Sequence, residues 1–231
     1  GAVTVLVVVA GIIGIAVVAR NSSSSSTDVT AAPSADPNAP SPSGVLPADA
    51  AARLARLLLL GAIASAGNLY MILTSLVFEA SPTRDAGTTA LYIGLVAGWE
   101  VPFMLLLPLI THRFRRSTLI AGGTLLYVTH LALMPVLTES AWLWVLPLLA
   151  GLGGTAILTL PIAYYQDLLA GRPGTAGAML ALQRLVSELL AAFAFAMGSV
   201  LGGSYGTIAL LGSTVALTGA GALLWIDRNR C

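Results

Sequence analysis

Residues 57–78 read LLLLGAIASAGNLYMILTSLVF, an apolar run of 22 residues that contains no charged side chain. A helix rises about 1.5 Å per residue and needs about 20 mostly apolar residues to cross the hydrocarbon of a bilayer. A strand of a membrane barrel would be about 10 residues long and would alternate apolar with polar residues, which this run does not. The stretch therefore predicts a transmembrane helix.

Six further runs of similar character lie on both sides of this stretch, at about 1–19, 88–110, 117–137, 142–165, 176–200 and 204–226. Of the 231 residues, 57% are hydrophobic and only 9% are charged, whereas a soluble domain carries about 25% charged residues. This composition excludes a soluble enzyme, a nucleic-acid-binding protein and a disordered protein. We expect an all-α membrane protein that has the lipid bilayer, and no nucleic acid, as a partner.

Residues 21–52 differ in composition, with five consecutive serines at Ser22–Ser26 and almost no large apolar side chain. Such a segment cannot bury enough surface to offset the entropy of ordering it, so we predict a flexible linker. The chain then divides into a transmembrane helix at 1–20, the linker at 21–52 and a six-helix unit at 53–231.

Orientation in the membrane follows from the arginines, since basic residues concentrate in cytoplasmic loops. If the linker is cytoplasmic, so are nine of the eleven arginines: Arg20, Arg53, Arg56, Arg113, Arg115, Arg116, Arg172, Arg228 and Arg230. Only Arg84 is then outside, and Arg184 lies within a span. We expect a multi-pass protein of the plasma (inner) membrane whose linker and C-terminus are cytoplasmic.

Three local motifs are distinctive: YQDLLAGRPGTA at 165–176, GWEVP at 98–102 and HRFRR at 112–116. They resemble motifs of bacterial sugar efflux transporters of the major facilitator superfamily. YQDLLAGRPGTA at 165–176 is similar to the Q-D-L-x-P-G-x-A-G segment that follows their tenth helix. GWEVP at 98–102 is similar to the G-x-E-I-P of their eighth helix, and HRFRR at 112–116 has the position of their basic loop between helices eight and nine. The resemblance covers residues 53–231.

The resemblance implies the C-terminal six-helix half of a transporter, with 1–20 as the last helix of a truncated first half. It implies proton-coupled efflux of a sugar or similar small polar solute by alternating access of the two halves around a midplane site. One half cannot enclose such a site, so we expect the missing N-terminal half or a second copy as a partner. Two alternatives stay open: a multidrug exporter of the same superfamily and a membrane scaffold that does not transport.

Acidic side chains inside the bilayer are costly, so each one requires a reason. Glu100 and Glu188 lie near the middle of their spans, and we predict that they couple transport to protons. Glu100 has no charged neighbour within its own span, while Glu188 lies one helical turn from Arg184. A neutral, hydrogen-bonded Glu100 and a self-neutralising Arg184–Glu188 pair are the structural alternatives.

The candidate substrate-binding side chains are polar groups within the spans that could bond to sugar hydroxyls: Asn68, Tyr70, Thr155, Thr159, Gln183 and Arg184. Gln183, Arg184, Ser187 and Glu188 share one helix face, because residues three and four apart are neighbours. Each of these groups could instead simply pack membrane helices together. We expect His130 to have a structural role, on a helix that faces away from the cavity in the superfamily.

The short basic and Gly-containing loops are predicted to gate transport or to orient the chain, through Arg113, Arg115, Arg116, Gln166, Asp167, Gly171 and Gly174. The pairs Gly94/Gly98 and Gly198/Gly202 would allow close helix approach, on surfaces that pack against residues outside this chain. We found no H-E-x-x-H, Walker or G-x-S-x-G motif and no histidine cluster with metal spacing. We therefore expect no enzyme activity, no metal and no cofactor, and an ion gradient as the energy source.

Overall fold

The computed structural model describes residues 48–169 and 173–228, so the predicted first helix and most of the predicted linker lie outside it. The described residues form helices α1 to α6, which are Ala48–Glu79, Ala86–Thr111, Arg116–Leu137, Leu146–Leu168, Pro173–Leu201 and Tyr205–Arg228. A short 3-10 helix, Ala141–Val145, precedes α4. All six α-helices are long and apolar enough to cross a membrane, and no strand occurs within the two described ranges. The expectation of an all-helical membrane protein is confirmed to that extent.

The helix bounds differ from the predicted spans at a few ends. Helix α1 begins at Ala48, so the last five residues of the predicted linker are helical. Three of these five are alanines in succession, and alanine has the highest helix propensity of all residues. Gln166 and Asp167, predicted in a loop, lie in the last turn of α4.

Helix α1 occupies the centre of the bundle and α2 its edge. Helix α1 packs mainly against α5 and α6, α3 packs against α4 and α6, and α2 packs mainly against α4. In the most apolar 18-residue stretch of each helix, 67% of α1 is buried but only 6% of α2. One long face of α2 therefore has no neighbour among the described helices.

Glycines permit the closest helix contacts. A Cβ atom added at Gly219 of α6 would lie 3.0 Å from the Leu59 carbonyl oxygen of α1, and one at Gly153 of α4 would lie 2.6 Å from the Gly123 carbonyl oxygen of α3. Gly198, predicted to face outside this chain, instead packs on Ile208 of α6. A Cβ added at Gly94 or Gly98 would have no atom of residues 48–169 or 173–228 within 4 Å.

A buried cluster joins three helix ends at one side of the bundle. Arg56 of α1 is 1% exposed, and its Nε donates to the Tyr164 hydroxyl of α4 at 3.0 Å. The same hydroxyl donates to Asp227 Oδ1 of α6 at 3.1 Å, and the carboxylate lies 3.6 Å from Arg56 Nε. Sequence reasoning treated Arg56 as a topology signal only, because hydropathy does not show which face of a helix is buried.

The opposite side of the bundle is held by polar contacts between loops. The Glu139 carboxylate accepts hydrogen bonds from Ser81 at 2.5 Å and from Thr83. These two bonds, assisted by the charge of Arg84, hold the pKa of Glu139 below its ordinary value. Arg84 donates to the Thr138 carbonyl oxygen at 2.7 and 3.0 Å. The loop before α2 is thereby attached to the loop after α3.

Candidate functional site

A cavity of about 650 Å³ lies between the helices and receives side chains from α1 to α5. Its lining consists of Ala64, Gly67, Asn68, Tyr70, Met71, Ile93, Val96, Ala97, Glu100, Tyr127, Gly154, Ile157, Leu158, Pro161, Ile162, Leu180, Gln183, Arg184 and Ser187. The lining includes small residues such as Ala64 and Gly67 of α1. Five of the eight residues predicted to bind substrate or couple protons lie in this lining: Asn68, Tyr70, Glu100, Gln183 and Arg184.

Helix α1 contributes an amide and a phenol to the cavity. Asn68 Nδ2 donates to the Ser187 hydroxyl of α5 at 3.0 Å, which joins two walls of the cavity. Tyr70 is 4% exposed, and its hydroxyl has no hydrogen-bond partner among the described residues. A buried hydroxyl without a partner is costly. An unpaired buried hydroxyl on a residue of the cavity lining is a candidate for bonding a ligand.

Glu100 reaches the cavity because α2 and α4 approach closely at two glycines. A Cβ at Gly151 would lie 2.6 Å from Trp99 Cβ, and one at Gly154 would lie 2.6 Å from Glu100 Oε1. Thr155 Oγ1 donates to the Glu100 carbonyl oxygen at 3.2 Å and steadies the same turn of α2. Within the described part of the chain, the half-buried Glu100 carboxylate has no hydrogen bond or ion pair.

The predicted polar face of α5 divides in two. Gln183 and Ser187 are buried at 7% and 3% exposure, and Gln183 Oε1 has no partner among the described residues. The side chains of Arg184 and Glu188 are 83% and 55% exposed and form an ion pair at 3.3 Å. Arg184 lies in the cavity lining, whereas Glu188 lies outside it.

The two predicted threonines of α4 lie outside the lining. Thr155 Oγ1 also donates to the Gly151 carbonyl oxygen at 2.8 Å, and Thr159 Oγ1 donates to the Thr155 carbonyl oxygen at 2.6 Å. Their hydroxyl groups are therefore already bonded to backbone, as is common for Thr within a helix.

The predicted gating residues are divided between loop and helix. Arg113 and Arg115 are exposed in the loop before α3, and Arg116 NH1 forms an ion pair with Asp167 Oδ2 at 2.8 Å. Gln166 is exposed, and Gly174 lies in the first turn of α5. Gly171 lies outside the described residues.

An aromatic cluster behind the cavity was missed by sequence reasoning. It consists of Tyr70, Tyr92, Tyr127 and His130, from α1, α2 and α3. His130 is fully buried, and its Nε2 lies 2.9 Å from the Tyr92 hydroxyl. Tyr127 and His130 are three residues apart and share a helix face, which was a detectable signal.

One comparison identifies a relative of this chain. Over 171 residues, or 70% of the chain, it is 30% identical to a Deinococcus radiodurans protein named "Putative sugar efflux transporter". The match covers 41% of that protein, so the chain spans less than half of its relative's length. No family model matches the chain, and no solved structure matches it. The six membrane-length helices fit one half of a transporter.

Proposed function

We propose that this chain is one half of a major facilitator superfamily transporter that exports a sugar or similar small polar solute in exchange for protons. The observation that carries the proposal is the cavity of about 650 Å³, whose walls hold polar groups that have no partner in the described residues. The named relative supports the substrate class. The resemblance of GWEVP and YQDLLAGRPGTA supports the superfamily.

The polar groups in the cavity suit a hydroxylated solute. The Glu100 carboxylate and Gln183 Oε1 accept hydrogen bonds, the Arg184 guanidinium donates them, and the Tyr70 hydroxyl can do either. Sugar hydroxyls supply both donors and acceptors, so such a ligand would satisfy the buried groups that have no partner among the described residues. These unpaired groups favour transport over a scaffold, for which we expect internal pairing.

Glu100 is the better candidate for proton coupling. Its carboxylate faces the cavity, where a substrate and a proton could compete for it. Glu188 is already paired with Arg184 and lies outside the lining, so its part is to orient Arg184.

A second half completes the site in this proposal. Arg184 is exposed at the cavity, and the open face of α2 carries Gly94 and Gly98, which have no close neighbour among the described residues. The unmatched part of the relative's length leaves room for such a half. The two halves would alternate access by rocking around the midplane cavity.

A multidrug exporter is the second candidate, because most of the cavity lining is apolar. Ile93, Val96, Ile157, Leu158 and Ile162 offer a broad surface to an apolar molecule. Apolar pockets with few polar groups are typical of many small-molecule sites. Transport of a hydroxylated substrate should depend on hydrogen bonds to Tyr70 and Gln183. Transport of a drug-like molecule should not.

The test is uptake by the full-length protein in proteoliposomes under an imposed pH gradient, with radiolabelled glucose and ethidium as separate probes. We expect gradient-driven glucose uptake that Glu100→Gln uncouples and that Glu188→Gln weakens. Glu79→Gln, which removes an exposed carboxylate at the end of α1, is the matched control and should transport as the wild type does.

Two results would contradict parts of the proposal. Normal gradient-driven transport with both Glu100→Gln and Glu188→Gln would reject proton coupling through these residues. Uptake of ethidium without uptake of glucose would favour the multidrug exporter.

A further inference from the structure

The aromatic cluster contains two residues, Tyr92 and His130, that do not line the cavity. His130 contacts the two tyrosines that do, and Tyr92 contacts His130. We infer that Tyr92 and His130 are positioning residues, which set the Tyr70 hydroxyl in the cavity wall and thereby determine substrate affinity. The inference rests on the proposed function, since it assigns a further role at the same site.

The two positioning residues are in direct contact with each other. Tyr92 of α2 and His130 of α3 are both fully buried, and the Tyr92 hydroxyl lies 2.9 Å from His130 Nε2. Their rings are stacked, with centroids 6.1 Å apart and an angle of 21° between planes. One hydrogen bond and one stacking contact together restrict the imidazole plane and orientation.

His130 in turn contacts the wall of the cavity. The imidazole centroid lies 5.2 Å from the Tyr70 ring and 5.7 Å from the Tyr127 ring, both in edge arrangements. Tyr70 and Tyr127 also meet edge to face at 6.0 Å. His130 therefore contacts both tyrosines that line the cavity, and its ring orientation constrains theirs.

Tyr70, once its ring is held in this way, can bond to a substrate hydroxyl. Its hydroxyl is buried, lies in the lining residue set and has no partner within the described ranges. The Tyr70 ring is restrained by its contacts with Tyr127 and His130. Its hydroxyl is therefore held at a defined place, so little freedom is lost when a substrate hydroxyl binds to it. Loss of the restraint should weaken binding more than it slows the transport cycle.

The experiment measures initial rates of glucose uptake against glucose concentration for the full-length protein in proteoliposomes. His130→Leu should raise KM about 3- to 10-fold, as expected for the loss of aromatic contacts. The maximal rate per folded molecule should stay near that of the wild type. Tyr92→Phe should raise KM less, and His130→Gln, which can still bond to the Tyr92 hydroxyl, should recover part of the affinity.

A double-mutant cycle separates positioning from general destabilisation. In a Tyr70→Phe background the hydroxyl is absent, so adding His130→Leu should raise KM little further. Ile120→Ala is the matched control, because Ile120 is fully buried on the same helix but lies outside both the cluster and the cavity lining. It should reduce thermal stability and leave KM unchanged.

An unchanged KM in His130→Leu, or an equal increase with and without the Tyr70 hydroxyl, would overturn the inference while leaving the proposed function standing. Failure of the wild type to transport glucose would overturn both. An increase in KM for Ile120→Ala equal to that for His130→Leu would assign the effect to stability and also overturn the inference.

Discussion

Helices α1 and α2 are nearly alike in sequence character and opposite in environment. Their mean hydropathy is 1.8 and 1.9, yet 67% of the apolar stretch of α1 is buried and only 6% of that of α2. Leu105 and Leu109 of α2 are 75% and 69% exposed, whereas Leu60 and Leu69 of α1 are fully buried. In a bilayer, the lipid and the protein interior are both apolar. Hydropathy therefore predicts which helices insert into the membrane, but it does not predict which helix is central in the bundle.

The two helices also contribute charge differently. Helix α1 carries a cation, Arg56, that is 1% exposed and depends on α4 and α6 for its partners. Helix α2 carries Glu100, which faces a cavity without a partner among the described residues. A buried charge that is paired contributes to structure, and an unpaired one in a cavity is a candidate for function. The following variants test this contrast.

The largest loss of stability is expected for Asp227→Ala. It leaves the Arg56 guanidinium buried with only Tyr164 and a backbone carbonyl as partners, which should cost about 3 kcal/mol. Urea or thermal unfolding in detergent measures the loss, with Arg228→Ala as the exposed neighbouring control. The double variant Arg56→Leu/Asp227→Ala should recover part of the loss, because no uncompensated charge remains. A loss no greater than that of the control would show that Arg56 is hydrated.

A smaller effect on stability is expected when a glycine-to-alanine substitution adds one methyl group to α1 or to α2. A Cβ at Gly61 of α1 would lie 2.6 Å from Val186 Cγ1, so Gly61→Ala should cost about 1–3 kcal/mol by overpacking. The added methyl of Gly98→Ala on α2 meets no described residue within 4 Å, so this variant should gain about 0.5–1 kcal/mol from helix propensity. Melting temperatures of the two variants test the contrast. Equal losses for both in this chain would refute it, and a loss for Gly98→Ala only in the presence of a second half would support the proposed interface.

The smallest effect concerns the start of α2, which has little tertiary packing to hold it. The Asp85 carboxylate accepts from the Thr88 hydroxyl at 2.6 Å and from the Thr88 backbone N–H at 2.7 Å. These hydrogen bonds hold the pKa of Asp85 below its ordinary value of 3.8. The stabilisation is therefore complete above pH 3.8 and is lost as the pH falls through the lower pKa of the folded state.

Asp85→Ala should slightly lower the melting temperature at neutral pH, because the helix loses its N-terminal cap. The difference from the wild type should shrink on acidification below the ordinary pKa. Asp85→Asn, which can cap without titrating, is the control. A difference that persists unchanged in acid would show that the carboxylate charge is not what stabilises α2.

Much of the fold and part of the site follow from local sequence. The length of each apolar run predicts where a helix crosses the membrane, and all six described spans agree within a few residues except at the start of α1. Asn68, Tyr70, Glu100, Gln183 and Arg184 stand out because polar groups are rare in such runs. The structure places these five in one cavity lining.

What local sequence could not predict depends on how helices face one another. The sequence alone does not distinguish Thr155 from a substrate-binding residue, yet its hydroxyl bonds to backbone carbonyl groups on α2 and α4. His130 was expected to have a structural role on a helix that faces away from the cavity. It is fully buried against three tyrosines, two of which line the cavity. Such outcomes depend on rotation about a helix axis, and a uniformly apolar helix carries almost no periodic signal for that rotation.

The amino-acid sequence is sufficient to predict insertion, because the cost of a charge or an unpaired backbone group in hydrocarbon is a local property of each segment. The tertiary structure decides which apolar helix is central and that Arg56 is paired inside the bundle. It also leaves Glu100, beside Gly154, without a partner in the part of the chain that it describes. These features depend on contacts between residues that are distant in the chain. Since lipid and neighbouring helices are equally apolar, only the packing of helix on helix distinguishes a buried face from a lipid-facing one.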